Sequence, residues 1–252
     1  MSRLHKRDNL FIKVTLVIGI GFSSGFFGVK AIDHFQIDSI RTSEREKYKE
    51  VLPFLLTTDY DIPLKAQVKQ PITVNLELDG EDRKQAIKAI QELDDISTKL
   101  NYKILETNNT SIYADINIST ADNLTDSMNA AGYTQYSYNN RTGYINYPIT
   151  IQIDTSIKDI YDGQGISVVD YVVKHEMMHT LGFCDLYDNT YFNKSIMWYS
   201  IASGKDVNTY TELDKMNIKK MYDNELIKSV KPLPQIQFVN YTQKQKDDDF
   251  VL

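Results

Sequence analysis

His175 and His179 stand four residues apart with Glu176 beside the first of them, in the run His175-Glu176-Met177-Met178-His179-Thr180-Leu181-Gly182-Phe183-Cys184-Asp185. On a helix this spacing puts both imidazoles on one face, one turn apart, so that two ring nitrogens can converge on one metal ion while a carboxylate lies next to it. The pattern therefore demands a helix, held stiffly enough to keep two ligands in place. Val168, Val169, Val172 and Val173 supply the apolar surface for burying it. Ser167 is placed to cap its first turn, where Asp170 suits the positive end of the dipole.

A zinc ion that activates water takes three protein ligands and keeps a fourth position open. No histidine follows His179, and His5 and His34 lie in or near the N-terminal apolar segment. A carboxylate is the natural third ligand. Asp185 comes six residues after His179 and three after Gly182, and a glycine can end the helix in a left-handed conformation that turns the chain back. Asp188, Cys184 and the later Glu212 remain alternatives. Cys184 reads more naturally as a small buried hydrophobe, and as the chain's single cysteine it forms no internal disulfide.

The segment from His175 to Asp185 resembles the metzincin signature HExxHxxGxxH with aspartate in the last position, as in the snapalysin-like branch. Ser195-Ile196-Met197-Trp198-Tyr199 resembles the Met-turn that metzincins place beneath the metal, with Met197 as the floor methionine. Tyr199 stands where astacins and serralysins carry a tyrosine that reaches the zinc or the developing oxyanion; a packed aromatic is the other reading of it. Ala114-Asp115-Ile116-Asn117-Ile118 is similar to the third strand of matrixin-type domains, and Thr211 to Tyr222 to their last helix. The matches run from about Ile72 to Tyr222.

The resemblance implies an α+β zincin fold, a twisted mixed sheet packed on the active-site helix and further helices. It implies one catalytic Zn2+ on His175, His179 and Asp185, Glu176 as general base, and a peptide or protein as substrate. Structural Ca2+ stays open. With one cysteine, a matrixin-like cysteine switch cannot operate. An aspartate ligand lowers the net positive charge of the site, so its water should be a weaker acid than in a three-histidine site. A zinc-stabilised surface binding module of the same fold that cleaves nothing is the alternative, although such a module has no need of Glu176. A closed structural zinc site is disfavoured because those are rich in cysteine.

The 252 residues carry a net charge of -6 and show no basic patch interleaved with aromatics, which argues against nucleic acid as a partner. Arg3, Lys6 and Arg7 precede an apolar run from Leu10 to Val29, interrupted by Lys13 and several small residues. This reads as a single N-terminal anchor, or a signal peptide if it is cleaved, with the rest of the chain outside the cytoplasm. The division that follows is 1-31 signal-anchor or signal peptide, 32-70 stalk or pro-segment, 71-225 catalytic domain and 226-252 C-terminal tail. Localisation is then extracytoplasmic, at the membrane or secreted.

Ile72, Val74, Leu76 and Leu78 alternate with polar residues, as in a half-buried strand. From Glu81 to Leu100 the apolar positions recur at three and four residues, predicting an amphipathic helix. Strand-like runs follow at 102-106, 112-118, 133-138 and 144-153, with Asn139 to Gly143 placed to close a hairpin between the last two. The run Tyr133 to Tyr138 is the candidate edge strand for pairing with an extended substrate.

Overall fold

The computed structural model describes residues 25-68, 71-106, 113-122, 124, 130-158, 167-199, 209-223 and 239-241. Helix α1 spans Gly25–Lys47, and two compact units, Met1–Ser43 and Glu44–Leu252, divide within it. Most of the apolar run that carries the anchor expectation lies outside the described residues, as does the tail apart from Val239–Tyr241. Among the described residues no helix is long and apolar enough to cross a membrane.

The second unit is α+β with a mixed sheet. Its strands are β1 (Ile72–Glu77), β2 (Tyr102–Ile104), β3 (Ile116–Ala121), β4 (Gly132–Tyr138), β5 (Ile145–Asp154) and β6 (Val239–Tyr241). Their order is β2-β1-β3-β5-β4-β6, with β1 parallel to β2 and β3, β3 parallel to β5, and β4 antiparallel to both β5 and β6. The candidate edge strand is thus not open along its whole length, since β6 pairs with Tyr136, Ser137 and Tyr138. Sequence alternation shows that a strand is half-buried; it does not show which strand lies beside it.

Parallel neighbours need a crossover, and the 15-residue helix α2 (Gly80–Asp94) makes it between β1 and β2. The amphipathic spacing of Ala86, Ala89, Ile90 and Leu93 buries one face of α2. It is shorter than the periodicity up to Leu100 suggests, because the chain turns at Asp95 to reach β2, with Ile96 and Leu100 still buried. The predicted hairpin joins β4 to β5: the Asn139 side chain accepts from the Arg141 and Thr142 amides, and Gly143 takes φ +72. A Cβ at Gly143 would meet the Pro63 carbonyl oxygen at 2.1 Å, so the turn depends on glycine.

Helix α3 (Val168–Thr180) packs against α2 and against β4 and β5. All its residues except His175 are buried, including the charged Lys174, which is 0% exposed. Glu92 on α2 at 2.7 Å and Asp170 on α3 at 2.9 Å compensate that ammonium, tying the two helices together. Helix α4 (Glu212–Tyr222) precedes β6 and starts in a capping box, with Thr211 and Asp214 each bonded to the other's backbone amide.

Of the segment 32-70, the part from Glu44 belongs to this second unit. Tyr48, Val51, Leu55, Leu64 and Ala66 join the core, and Leu55 bridges antiparallel to Phe183 just beyond α3. Tyr222 at the end of α4 clamps the same segment, accepting from the Ala66 amide at 3.0 Å while donating to the Leu181 carbonyl at 2.7 Å. The chain before β1 is therefore packed against the C-terminal end of the helix that carries the histidines.

Candidate metal centre

Ser167 caps α3 as its position suggested, accepting from the Asp170 amide. In the last two turns of α3, His175 and His179 project side by side, their rings 4.9 Å apart between centroids. One ligand atom from each of them and one from Glu176 lie within 4.8 Å of one another, close enough to hold a metal ion. Gly182 ends the helix with φ +96. A side chain there would bring a Cβ within 2.4 Å of the Leu64 carbonyl oxygen, so no other residue lets the chain turn this tightly against the preceding segment.

The turn delivers Asp185 to the histidines. Its Oδ1 lies 2.9 Å from Nε2 of His175 and 3.5 Å from Nε2 of His179. The other nitrogen of each ring is engaged by backbone: Nδ1 of His175 is 2.8 Å from the Ile196 carbonyl oxygen, and Nδ1 of His179 is 2.8 Å from that of Phe183. A carbonyl oxygen can only accept, so each Nδ1 carries a proton and each neutral imidazole turns the lone pair of Nε2 toward Asp185. Two lone pairs then face a carboxylate in a nearly buried space. Such an arrangement repels itself unless a cation, either a proton or a metal ion, sits among the three atoms.

The titration behaviour expresses the same demand. Burial by itself would lower both histidines, and the Asp185 carboxylate outweighs it, raising His175 and pushing His179 up to about 9. Burial would raise Asp185, and the two imidazoles reverse that, holding it well below the usual carboxylate range. Two nitrogens and one carboxylate oxygen also make a donor set suited to a divalent transition metal such as zinc.

The competing ligands are elsewhere. Glu212 is 92% exposed and pairs with Lys215 at 2.9 Å. Asp188 is exposed and accepts from the Thr190 amide at the start of a short 3-10 turn, Asn189–Tyr191. Cys184 directs its sulfur at the Pro53 carbonyl, 3.9 Å away, and burial pushes its thiol up to about 11, so it offers little thiolate.

Met197 is buried in the core directly after Ile196, whose carbonyl supports His175. Its own segment pairs with Leu186 in a short parallel bridge, in which the Leu186 amide donates to the Met197 carbonyl and the Tyr199 amide to the Leu186 carbonyl. Tyr199 stacks its ring on Tyr187, 5.2 Å between centroids, and lies 4.8 Å from the Trp198 ring. The packed-aromatic reading thus accounts for its ring contacts.

Three neighbours of the site carry no mark in the sequence pattern. Asp214 on α4 accepts from the Ile196 amide at 2.9 Å and from the Ser195 hydroxyl, fixing the turn from a distant helix. Its capping-box bond to Thr211 is local to α4, whereas its reach to residues 195-196 is set by the tertiary fold. Thr134 and Gly132, both on β4, lie against Glu176. Only the strand's alternation, which sends Thr134 inward with Tyr136 and Tyr138, hints at them.

Neither models of known protein families nor curated proteins give a match to this chain. The metzincin likeness accordingly rests on the sequence motifs alone.

Proposed function

We propose that the chain is a zinc-dependent endopeptidase of metzincin type that works outside the cytoplasm, tethered by or released from its N-terminal segment. One observation carries the reading: the Asp185 carboxylate meets Nε2 of both His175 and His179, each ring oriented through Nδ1 by a backbone carbonyl, with Glu176 alongside. A donor set of this kind leaves room for a water or substrate oxygen, as a hydrolytic centre needs and a closed structural centre does not.

His175, His179 and Asp185 would hold the ion. Bound zinc supplies a more acidic water and a Lewis acid for the scissile carbonyl. Glu176, next to the ligands and nearly buried, takes a proton as the water oxygen bonds to the carbonyl carbon. It then delivers that proton to the amide nitrogen as the C–N bond breaks, leaving a carboxylic acid and an amine, and the acid's proton passes to the amine to give a carboxylate and an ammonium. Met197 and the residues around it hold the floor beneath His175. Tyr199 could assist the developing oxyanion only by leaving its stack on Tyr187.

The reading is tested by assaying the purified chain on an unfolded protein, before and after chelation and after zinc is restored. Cleavage that disappears with the metal and returns with it supports the proposal. A protein that binds one zinc and cleaves no unfolded substrate would instead be the binding module.

A further inference from the structure

Glu176 is 4% exposed, and a carboxylate so buried needs hydrogen bonds to offset its lost hydration and hold it in place. Among the described residues one side chain supplies such a bond. The Thr134 hydroxyl, itself 4% exposed, lies 2.6 Å from Oε2 of Glu176 and 3.3 Å from the same residue's backbone carbonyl. Its single proton can serve one of these acceptors at a time, and the short contact to the charged oxygen is the stronger.

The second carboxylate oxygen is located by what is missing from the same strand. A Cβ built on Gly132 would fall 2.6 Å from Oε1 of Glu176, 2.8 Å from its Cγ and 2.5 Å from Val172 Cγ1. Position 132 must therefore lack a side chain for Glu176 to keep this rotamer, and position 134 must carry a hydroxyl to hold it. Gly132 and Thr134 are alternate residues on one face of β4, so a single strand surface receives both oxygens.

We propose that Thr134 is a positioning residue for Glu176, binding Oε2 so that Oε1 is the oxygen that exchanges the proton with water and leaving group. This rests on the peptidase reading above. Pairing Thr134 with Ile151 on β5 fixes the strand, and so the aim of the carboxylate is set by the sheet rather than by the flexible Glu176 side chain alone. Losing the hydroxyl while keeping the shape should leave metal and substrate binding intact and slow only the step that moves the proton.

The test uses the full chain with Thr134→Val, which is nearly isosteric, and Thr134→Ser, which restores the hydroxyl. Thr134→Val should retain one zinc and an unchanged KM, with kcat lowered roughly 10-100-fold, a part of what a general base contributes; Thr134→Ser should recover kcat to within a few-fold. Parental kcat in Thr134→Val, or equal losses in both variants, would overturn the proposal. A second arm does not depend on cleavage: denaturation midpoints of Thr134→Val, Glu176→Ala and the double variant should be non-additive, the double being less harmed than the two single losses combined. Additive losses would overturn the contact itself. A parent that cleaves nothing would remove the peptidase reading while this cycle still decides whether the two residues act as a unit.

Discussion

His175 donates its Nδ1 proton to the carbonyl oxygen of Ile196, 2.8 Å away, and so the orientation of a candidate metal ligand depends on a turn 21 residues further along the chain. That turn is in its own right held from α4, where Asp214 accepts from the Ile196 amide and from Ser195. One peptide segment thus passes order from the closing helix to the imidazole, as the outer partners of metal ligands do in general.

Asp214→Ala should accordingly weaken zinc binding although the residue is not a ligand. The loss expected for such a supporting group is about 10-100-fold in affinity. Because the variant also leaves buried donors of Ser195 and Ile196 without an acceptor, stability should fall by about 1-3 kcal/mol or more. Zinc competition titrations alongside chemical denaturation measure the two effects; unchanged zinc affinity would disconnect α4 from the site.

Asp185→Ala should cost more zinc affinity than Asp214→Ala, since it removes one of three converging donors, and cleavage should go with it. Glu212→Ala and Cys184→Ala should leave both intact, given an exposed carboxylate and a thiol turned toward Pro53. Metal content after dialysis against a weak chelator separates these variants. Retained zinc in Asp185→Ala would assign the third ligand to another group.

The metal-stripped protein should lose stability as pH rises. The folded pKa of His179 is raised to about 9 from an ordinary value of 6.5, so the folded state keeps a proton that the unfolded state releases. The stabilisation is fully present below about 6.5 and is lost as pH climbs through about 9. Zinc takes the place of that proton, so the loaded protein should show little of this decline, and zinc binding near pH 7 should release protons. Thermal melts from pH 6 to 9.5 with and without zinc check the sign; a stripped protein growing more stable across that range would contradict it.

Much of the centre was legible because it is local. The i, i+4 histidines, the glycine that turns the chain and the aspartate three residues after it are all consequences of helix geometry, and Ser167 and Thr211 cap where short-range chemistry puts them. The Glu176–Thr134 contact spans 42 residues and depends on which strand lies over α3, a matter of sheet order that periodicity does not encode. The segment 32-70 reads as a stalk or pro-segment because a charged stretch of helical apolar spacing up to Leu56 gives way to a linker-like run; from Glu44 on, Tyr48, Val51, Leu55, Leu64 and Ala66 nevertheless join the core, and Leu55 bridges Phe183 beyond α3. Lys174 breaks the apolar face of α3 and is buried all the same, because Glu92 and Asp170 compensate it from two helices.

The most direct test of hydrolysis by this centre compares the zinc-loaded chain with its zinc-loaded Glu176→Ala variant on an unfolded protein. Equal metal content with cleavage lowered by about 100-fold or more in the variant is the result predicted for loss of a general base. Equal cleavage by the two proteins at equal zinc would contradict the account.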